Sequence, residues 1–181
     1  MNKDKNDKKA TYLPILSKQS NPCEDKRVKA YIFGENPMSG KTLLANFLNK
    51  NLKVFRLDGR KMMRGDLNFI LAGLTDEYDT ILIDDYDYIG TESKFKDFYK
   101  RLLREGNILF NRPLQTSGKM NFQNIFITSM VPPQFFFGVG DSEDAWDYFD
   151  NVIAVDNLDM TVEYIQQAKI PMKELFDFLK K

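Results

Sequence analysis

Short apolar runs alternate with amphipathic stretches from residue 28 almost to the end of the chain. Five of the runs are rich in β-branched and aromatic residues and are bounded by polar or turn-forming residues, as buried strands are. These predicted strands cover residues 28–33, 54–57, 80–83, 124–128 and 151–155. Because the runs are continuously apolar, they favour parallel strands that are covered on both faces.

The segments between these runs carry apolar residues at helical spacing. The clearest helix is predicted over residues 93–104, and Gly106 follows it as a stop signal. Further helices are predicted over residues 41–51, 66–74, 135–137, 144–149 and 171–180. The alternation of strands and helices predicts an α/β fold, a three-layer sandwich around a mostly parallel central sheet.

One segment between the predicted helix 93–104 and the strand 124–128 departs from this alternation. Residues 107–122 read NILFNRPLQTSGKMNF, in which two strand-like runs flank the turn signal TSGK at residues 116–119. The pattern predicts a projecting β-hairpin with Lys119 at its tip and Arg112 nearby. A lysine on such a hairpin suits contact with a nucleic-acid backbone, and an ordinary solvated surface lysine is the alternative.

The connection between the first strand and the first helix reads GENPMSGKT over residues 34–42. A loop of this kind directs backbone N–H groups and a lysine toward the β- and γ-phosphates of ATP or GTP. Its leading glycine stands one residue earlier than in the usual pattern. The candidate nucleotide-binding residues are Gly34, Glu35, Asn36, Pro37, Met38, Ser39, Gly40, Lys41 and Thr42. A chance Gly-Lys-Thr in a surface turn is the alternative, which the flanking strand and helix disfavour.

Two acidic residues end the third predicted strand, in the segment TILIDDYDY at residues 80–88. Asp84 and Asp85 therefore fall at the carboxyl end of a parallel strand, where open α/β sheets bind ligands. In nucleotide triphosphatases the first acid holds Mg²⁺, usually through water, and the second orients or deprotonates the attacking water. The alternative is a strand followed by an acidic turn.

Hydroxyl side chains end the fourth predicted strand, in the segment IFITSMVPPQFFF at residues 125–137. From the strand beside the acidic one, Thr128 and Ser129 could reach a γ-phosphate or the attacking water, which is a sensor role. Local capping of the strand end by Ser and Thr hydrogen bonds is the alternative.

Taken in this order and at this close spacing, the four motifs resemble the superfamily-three helicase domain, an AAA+-like ATPase. The resemblance covers about residues 28–156 and points to rolling-circle replication initiators of small single-stranded DNA viruses and related plasmids. It implies that Lys41 and Thr42 bind phosphate and Mg²⁺, that Asp84 and Asp85 serve the metal and water activation, and that Lys119 tracks DNA. It also implies a homo-oligomeric ring around single-stranded DNA, with RNA possible, in host cytoplasm or nucleus.

Other functions remain open at this point. A replication-initiation or helicase-loading ATPase of the AAA+ type would carry similar strands, and a small-molecule or nucleotide kinase would share the phosphate loop. No arginine follows Arg112, which disfavours a kinase lid and leaves no arginine finger in the usual position. A subunit that binds nucleotide without fast hydrolysis is therefore a further alternative. The nicking domain of the initiators is not apparent in this sequence, and two alternatives follow: a lone helicase module that works with a separate nicking domain or protein, or a reduced relative.

The amino-acid composition excludes several further classes of function. The single cysteine excludes an internal disulfide, and the absence of histidine excludes Ser-His or Cys-His nucleophilic catalysis and makes a zinc site improbable. Net charge is zero, with ten acidic and four basic residues in 141–181, so a nucleic-acid surface belongs to the earlier segments. We expect residues 1–27 to be a flexible polar segment, residues 28–181 to form one domain, and the location to be intracellular with no membrane span.

Overall fold

A computed structural model of the chain describes residues 27–62, 70–86, 93–110, 118–137 and 145–167. Seven strands lie within these residues. They are β1 (Val28–Phe33), β2 (Val54–Asp58), β3 (Thr80–Tyr86), β4 (Asn107–Phe110), β5 (Gly118–Asn121), β6 (Asn124–Ser129) and β7 (Asn151–Ala154). Five of them form one sheet in the order β2-β3-β6-β1-β7, and β4 and β5 form a separate pair.

Every pairing in the five-stranded sheet is parallel. The carboxyl ends of the strands therefore meet at one edge of the sheet, where the connections that follow β1, β3 and β6 lie side by side. Strand β6 lies between β1 and β3 although it comes after both in the sequence. The residues that end these three strands are thus brought together by the strand order.

Four α-helices are described: α1 (Lys41–Leu48), α2 (Gly59–Met62), α3 (Ser93–Glu105) and α4 (Leu158–Gln167). Single 3₁₀ turns are formed by Leu71–Gly73, Pro133–Phe135 and Ala145–Tyr148. No helix in the described ranges is long and apolar enough to cross a lipid bilayer.

Two hydrophobic clusters cover opposite faces of the sheet. Tyr31 and Ile83 belong to the cluster that α3 joins through Tyr99 and Leu102. The other cluster includes the alternate strand residues Ala30, Ile32, Leu82 and Phe126, together with Leu44 and Phe47 of α1 and Ile165 of α4. Since successive side chains of a strand point to opposite faces, the strands are buried on both sides, which explains their continuously apolar sequences.

The predicted α/β fold with a mostly parallel sheet is confirmed. All five predicted strands form, and β3 runs to Tyr86, three residues beyond the predicted end. Helix α1 ends at Leu48, earlier than the predicted residue 51, and α3 ends at Glu105. The stop signal at Gly106 is confirmed by its φ of 66°, a left-handed conformation that glycine adopts without strain.

The hairpin is confirmed, but the turn predicted at residues 116–119 is wrong. Strands β4 and β5 pair antiparallel, with Phe110 opposite Gly118 and Leu109 opposite Lys119. Lys119 therefore lies within a strand and not at a turn, because cross-strand pairing continues past the local turn signal. The connecting residues 111–117, with Arg112, lie outside the described residues.

Several predicted elements differ from the structure or fall outside its description. The short helices predicted at residues 135–137 and 144–149 are 3₁₀ turns, at Pro133–Phe135 and Ala145–Tyr148. Of the helix predicted over 66–74, only the end is described, as the 3₁₀ turn Leu71–Gly73. Residues 1–26 and the predicted helix 171–180 lie outside the described ranges. Helices α2 and α4 were not predicted.

Candidate functional site

The loop after β1 packs tightly against its neighbours. The N–H of Gly34 donates to the carbonyl oxygen of Ser129 at 3.2 Å, which joins the start of the loop to the end of β6. A Cβ atom on Gly34 would lie 1.7 Å from the carbonyl oxygen of Val155. No side chain fits in that space, so the leading glycine is required by the close approach of the chain after β7.

The other end of the loop is fixed by α4. The Thr161 hydroxyl donates to the carbonyl oxygen of Ser39 at 2.6 Å, and it would lie 2.9 Å from a Cβ atom on Gly40. Gly40 also has a φ of 88°, in the left-handed region that favours glycine. Helix α4 therefore shapes the loop, immediately before the first turn of α1.

Lys41 is folded into the loop that precedes it. The side chain is 3% exposed, and its amine donates to the carbonyl oxygens of Gly34 at 2.9 Å and Asn36 at 2.8 Å. A third hydrogen bond reaches the Ser39 hydroxyl at 3.1 Å. The ammonium group is thus held on the concave side of the loop by neutral oxygens, and none of its hydrogen bonds within the described ranges goes to a carboxylate.

The charge of Lys41 is affected by two opposing influences. Burial lowers the pKa of the ammonium group, while the carboxylates of Asp85 and Asp84 act in the opposite direction. Burial is the larger influence, so the net direction is downward. A ligand that brought negative charge to this amine would therefore restore its preference for the protonated form.

Asp84 is the meeting point of the strand ends. Its side chain is largely buried, and its Oδ1 accepts hydrogen bonds from the hydroxyls of Thr42 at 2.9 Å and Thr128 at 2.7 Å. Its Oδ2 accepts a hydrogen bond from Arg56 of β2 in an ion pair. The first turn of α1 and the ends of β3 and β6 therefore converge on one carboxylate.

A β-bulge separates the roles of the two acids. Ile83 pairs with Ile127 and Tyr86 with Ser129, so the β3 side has one extra residue. Asp85 lies in this bulge with a φ of 58°, the one positive φ among the described non-glycine residues. Because neighbouring residues of a regular strand point to opposite faces, the bulge changes the direction that the Asp85 side chain would otherwise take.

Asp85 makes two contacts in this position. Its N–H donates to the Thr128 hydroxyl at 2.9 Å, and its carboxylate lies 3.4 Å from the guanidinium of Arg60 on α2. The Asp85 side chain is 45% exposed, so the second carboxylate is open to solvent and to a ligand. Thr128 accepts from the Asp85 backbone and donates to Asp84, which links the two acids through a single hydroxyl.

The structure separates the two predicted sensor residues. Thr128 belongs to the cluster around Asp84, whereas the Ser129 hydroxyl donates to the carbonyl oxygen of Tyr86 at 2.9 Å and accepts from the N–H of Val131 at 3.1 Å. Ser129 points to the other side of β6 because neighbouring strand residues alternate. Its hydroxyl completes the hydrogen bonds of the strand ends.

The four residues from Glu35 to Met38 form the outer part of the loop. All four are exposed, and Met38 is 84% exposed. The side chain of Asn36 accepts a hydrogen bond from the N–H of Met38 at 2.9 Å, which supports the turn. The Glu35 carboxylate lies in solvent, so it places no buried negative charge beside Lys41.

Lys119 lies apart from this cluster. It is exposed on β5, and the base of the hairpin joins the amino ends of the sheet strands, since Gln123 donates its N–H to the carbonyl oxygen of Asp79 at 2.8 Å. Asp84 lies at the opposite, carboxyl edge. The structure therefore does not bring Lys119 to the site of Lys41, and Arg112 is outside the described residues.

The sequence analysis missed four residues that shape the site. Arg56 and Arg60 each pair with one aspartate, Thr161 holds the loop, and Gly59 allows α2 to approach β3, since its Cβ would lie 2.7 Å from the Cα of Tyr86. The arginine within the apolar run VFRL was a signal for Arg56. No signal pointed to Thr161, because α4 itself was not predicted.

The oxygen atoms around Asp84 fit a magnesium ion. The Thr42 hydroxyl and the Asp84 carboxylate are 2.9 Å apart, and both are hard oxygen ligands. Mg²⁺ in nucleotide sites takes one or two protein oxygens and completes its shell with phosphates and water. The described part of the chain has no group of three or more His, Cys, Asp or Glu side chains that could hold a metal alone. The arrangement thus suits a metal that arrives with a phosphate ligand.

Comparison of the sequence with protein-family models and with curated proteins finds no match.

Proposed function

We propose that the protein is a P-loop nucleotide triphosphatase of the superfamily-three helicase type, which binds Mg-ATP and acts on single-stranded DNA in replication. One observation carries the proposal. Lys41, Thr42, Asp84 and Thr128 occupy one side of the carboxyl edge, with Asp85 next to them. A buried lysine, a hydroxyl beside a carboxylate and a second, open carboxylate are the groups that phosphoryl transfer to water needs.

Each group has a chemical task in this proposal. Lys41 exchanges its bonds to loop oxygens for bonds to the phosphates, which charge-assisted hydrogen bonds favour. Thr42 and Asp84 hold the metal ion, and Mg²⁺ when bound neutralises charge that develops on the phosphate oxygens. Asp85 orients the attacking water or accepts its proton, because its carboxylate is the exposed one of the pair. Thr128 fixes the positions of Asp84 and Asp85 relative to each other through its hydroxyl group.

The nucleic-acid part of the proposal depends on the hairpin. Lys119 is exposed on β5, and hairpin and nucleotide site lie at opposite edges of the sheet. In a ring of subunits, a strand of DNA in the centre would contact the hairpins while nucleotides occupy the boundaries. An arginine from a neighbouring subunit would complete the site, with Arg101, Arg104 and Arg112 as candidates.

The test is ATP hydrolysis by the purified protein with and without single-stranded DNA, together with displacement of one strand from a forked duplex. We expect DNA to stimulate hydrolysis, ATP to promote oligomers in sedimentation, and Lys41→Ala to abolish both activities. Hydrolysis that single-stranded DNA does not stimulate, together with no strand displacement, would contradict the helicase function. It would favour a loading or initiation ATPase of the AAA+ type.

A second candidate function is nucleotide binding without fast turnover. The specific observation is that both acids are already paired with arginines of the same chain, Asp84 with Arg56 and Asp85 with Arg60. If these pairs persist with nucleotide bound, neither carboxylate is available for its catalytic task. This candidate predicts measurable ATP affinity and a slow turnover that Asp85→Asn leaves unchanged.

A further inference from the structure

The Asp84 carboxylate has little capacity left for another partner. Oδ1 accepts two hydroxyl hydrogen bonds, from Thr42 and Thr128, and so uses both of its lone pairs. Oδ2 is in contact with Arg56. A cation that approaches Asp84 must therefore share Oδ2 with the guanidinium or replace it.

Arg56 reaches Asp84 from the neighbouring strand. In the parallel register Arg56 is opposite Leu82, two residues before Asp84, so all three side chains lie on the same face of the sheet. The Arg56 side chain is 51% exposed, whereas that of Asp84 is 10% exposed. Because half of it already lies in solvent, Arg56 can leave Asp84 without opening a cavity in the core.

Asp84 needs a cation when no nucleotide is present. A buried carboxylate without a partner is strongly destabilising, and Lys41 does not fill that role because its three hydrogen bonds go to oxygens of the loop. The one ion pair described for Asp84 is with Arg56. Arg56 thus neutralises the position that the metal ion would neutralise.

From these contacts we propose that Arg56 is a built-in competitor of Mg²⁺ at Asp84, a positioning residue that must move away when the metal-bound nucleotide enters. The proposal rests on the proposed nucleotide site and adds a regulation to it. Two positive groups on one carboxylate oxygen repel each other, so occupancy by Arg56 weakens the advantage that Mg²⁺ gives to nucleotide binding. In the nucleotide-free site, Arg56 thereby restricts the access of free metal to Asp84.

The test measures binding and does not depend on activity. A fluorescent ATP analogue is titrated into the protein at saturating Mg²⁺ and again in EDTA. The affinity in Mg²⁺ divided by the affinity in EDTA is the metal advantage. In Arg56→Gln we expect this ratio to rise about fivefold, the upper end for a partly exposed ion pair. Arg56→Lys keeps the charge and should give a ratio near that of the unaltered protein.

The control is Arg27→Gln. Arg27 lies immediately before β1, at the opposite end of the sheet strands from Asp84, and it donates a hydrogen bond to the carbonyl oxygen of Glu105, so this substitution removes the same charge away from Asp84. Its ratio should not change. A ratio in Arg56→Gln that is unchanged or lower, or a rise in Arg56→Lys as large as in Arg56→Gln, would overturn the proposal while leaving nucleotide binding intact. Failure of the unaltered protein to bind the analogue in either buffer would instead contradict the proposed function and the competition with it.

A second measurement uses the unaltered protein. Phenylglyoxal modifies free guanidinium groups, and mass spectrometry reports the modified fraction of each arginine. We expect modification of Arg56 to increase when the analogue and Mg²⁺ are both present, and not with the analogue in EDTA, while modification of Arg27 stays constant. Equal modification of Arg56 in the two conditions would show that the ion pair persists and would overturn the proposal.

Discussion

Two neighbouring aspartates in the β3 bulge have different surroundings, and therefore different chemistry. Asp84 is nearly enclosed and accepts bonds from two hydroxyls and one guanidinium, whereas the Asp85 carboxylate is nearly half exposed with one arginine at 3.4 Å. Asp85 lies in the bulge with a left-handed backbone conformation, so its side chain does not follow the alternation of a regular strand. Asp84 suits a structural charge beside a metal, and Asp85 suits contact with water.

Asp85→Asn separates turnover from binding. Asparagine tolerates the left-handed φ of 58° as aspartate does, so the fold should be retained. Loss of the carboxylate removes the group that orients or deprotonates water, and we expect kcat for ATP hydrolysis to fall about 100-fold or more with little change in ATP affinity. Asp76→Asn, an exposed aspartate elsewhere, is the control. An unchanged kcat would favour the function of nucleotide binding without fast turnover.

The pH dependence of nucleotide affinity tests the environment of Lys41. Burial lowers the pKa of this lysine in the free protein, and bound phosphates would raise it, because they favour the charged form. The affinity for ATP should therefore be at its maximum below the pKa that Lys41 has in the free protein, and it should decline as the pH rises through that pKa. Binding of ATP between about pH 7 and about pH 10 measures this decline.

Lys41→Arg is the control for the pH experiment. The guanidinium remains charged throughout the range, so its affinity, although weaker, should be independent of pH. Parallel curves for lysine and arginine would mean that Lys41 does not titrate in the site.

Much of the candidate site lies in the connections that follow the strands. The loop 34–42 is held by the end of β6 through Gly34, by the chain after β7 through the same glycine, and by α4 through Thr161. Three elements that are distant in sequence thus fix one short loop. Its backbone is set by close approaches that leave little space for change.

Gly34→Ala should disrupt this arrangement. The new Cβ would lie 1.7 Å from the carbonyl oxygen of Val155, so the loop or the end of β7 must shift. We expect the free energy of unfolding to fall by about 2 kcal/mol or more in urea denaturation. Gly73→Ala is the matched control, because its Cβ would meet Phe55 at 3.8 Å, an ordinary contact, and should change stability by less than about 0.5 kcal/mol. Equal stabilities of the two variants would contradict the close approach.

The hairpin has its own test in Lys119→Ala. If Lys119 contacts a phosphate, its removal should weaken single-stranded DNA binding and lower the slope of log affinity against log salt by about 1, with ATP affinity unchanged. The control is Lys61→Ala, which removes another exposed lysine, on α2 at the other end of the sheet strands, and should leave the salt slope unchanged. An unaltered salt slope in Lys119→Ala would assign Lys119 to the solvated surface.

Local sequence patterns predicted the elements well and their contacts less well. The strand that ends in Asp84 and the stop at Gly106 follow from short-range chemistry, so the sequence was sufficient for them. Lys119 was placed at a turn because its neighbours are turn formers, but pairing with β4 extends the strand through it. Arg56 and Thr161 act on residues 28 and 122 positions away, and no local pattern predicts such contacts.

For the chain as a whole, the strand order determines which residues meet. Because β6 lies between β1 and β3, Thr128 lies between the loop 34–42 and the acidic end of β3, and these three segments of chain form one site. The sequence analysis placed the strand of Thr128 beside the acidic strand, which the pairing of β6 with β3 confirms, but it did not predict that β1 lies on the other side of β6. This convergence is therefore the strongest support for the proposal that the motifs belong to one functional site.

Equilibrium binding of ATP in the presence of Mg²⁺, measured by calorimetry on the unaltered chain and on Lys41→Ala, tests this shared site most directly. The contacts of Lys41 with Gly34, Asn36 and Ser39 place its amine where the loop would receive phosphate. We expect the unaltered chain to bind ATP and the variant to lose at least about tenfold in affinity, the effect of removing charged hydrogen bonds. Absence of binding by the unaltered chain, or equal affinity of the two proteins, would contradict a nucleotide site at this edge of the sheet.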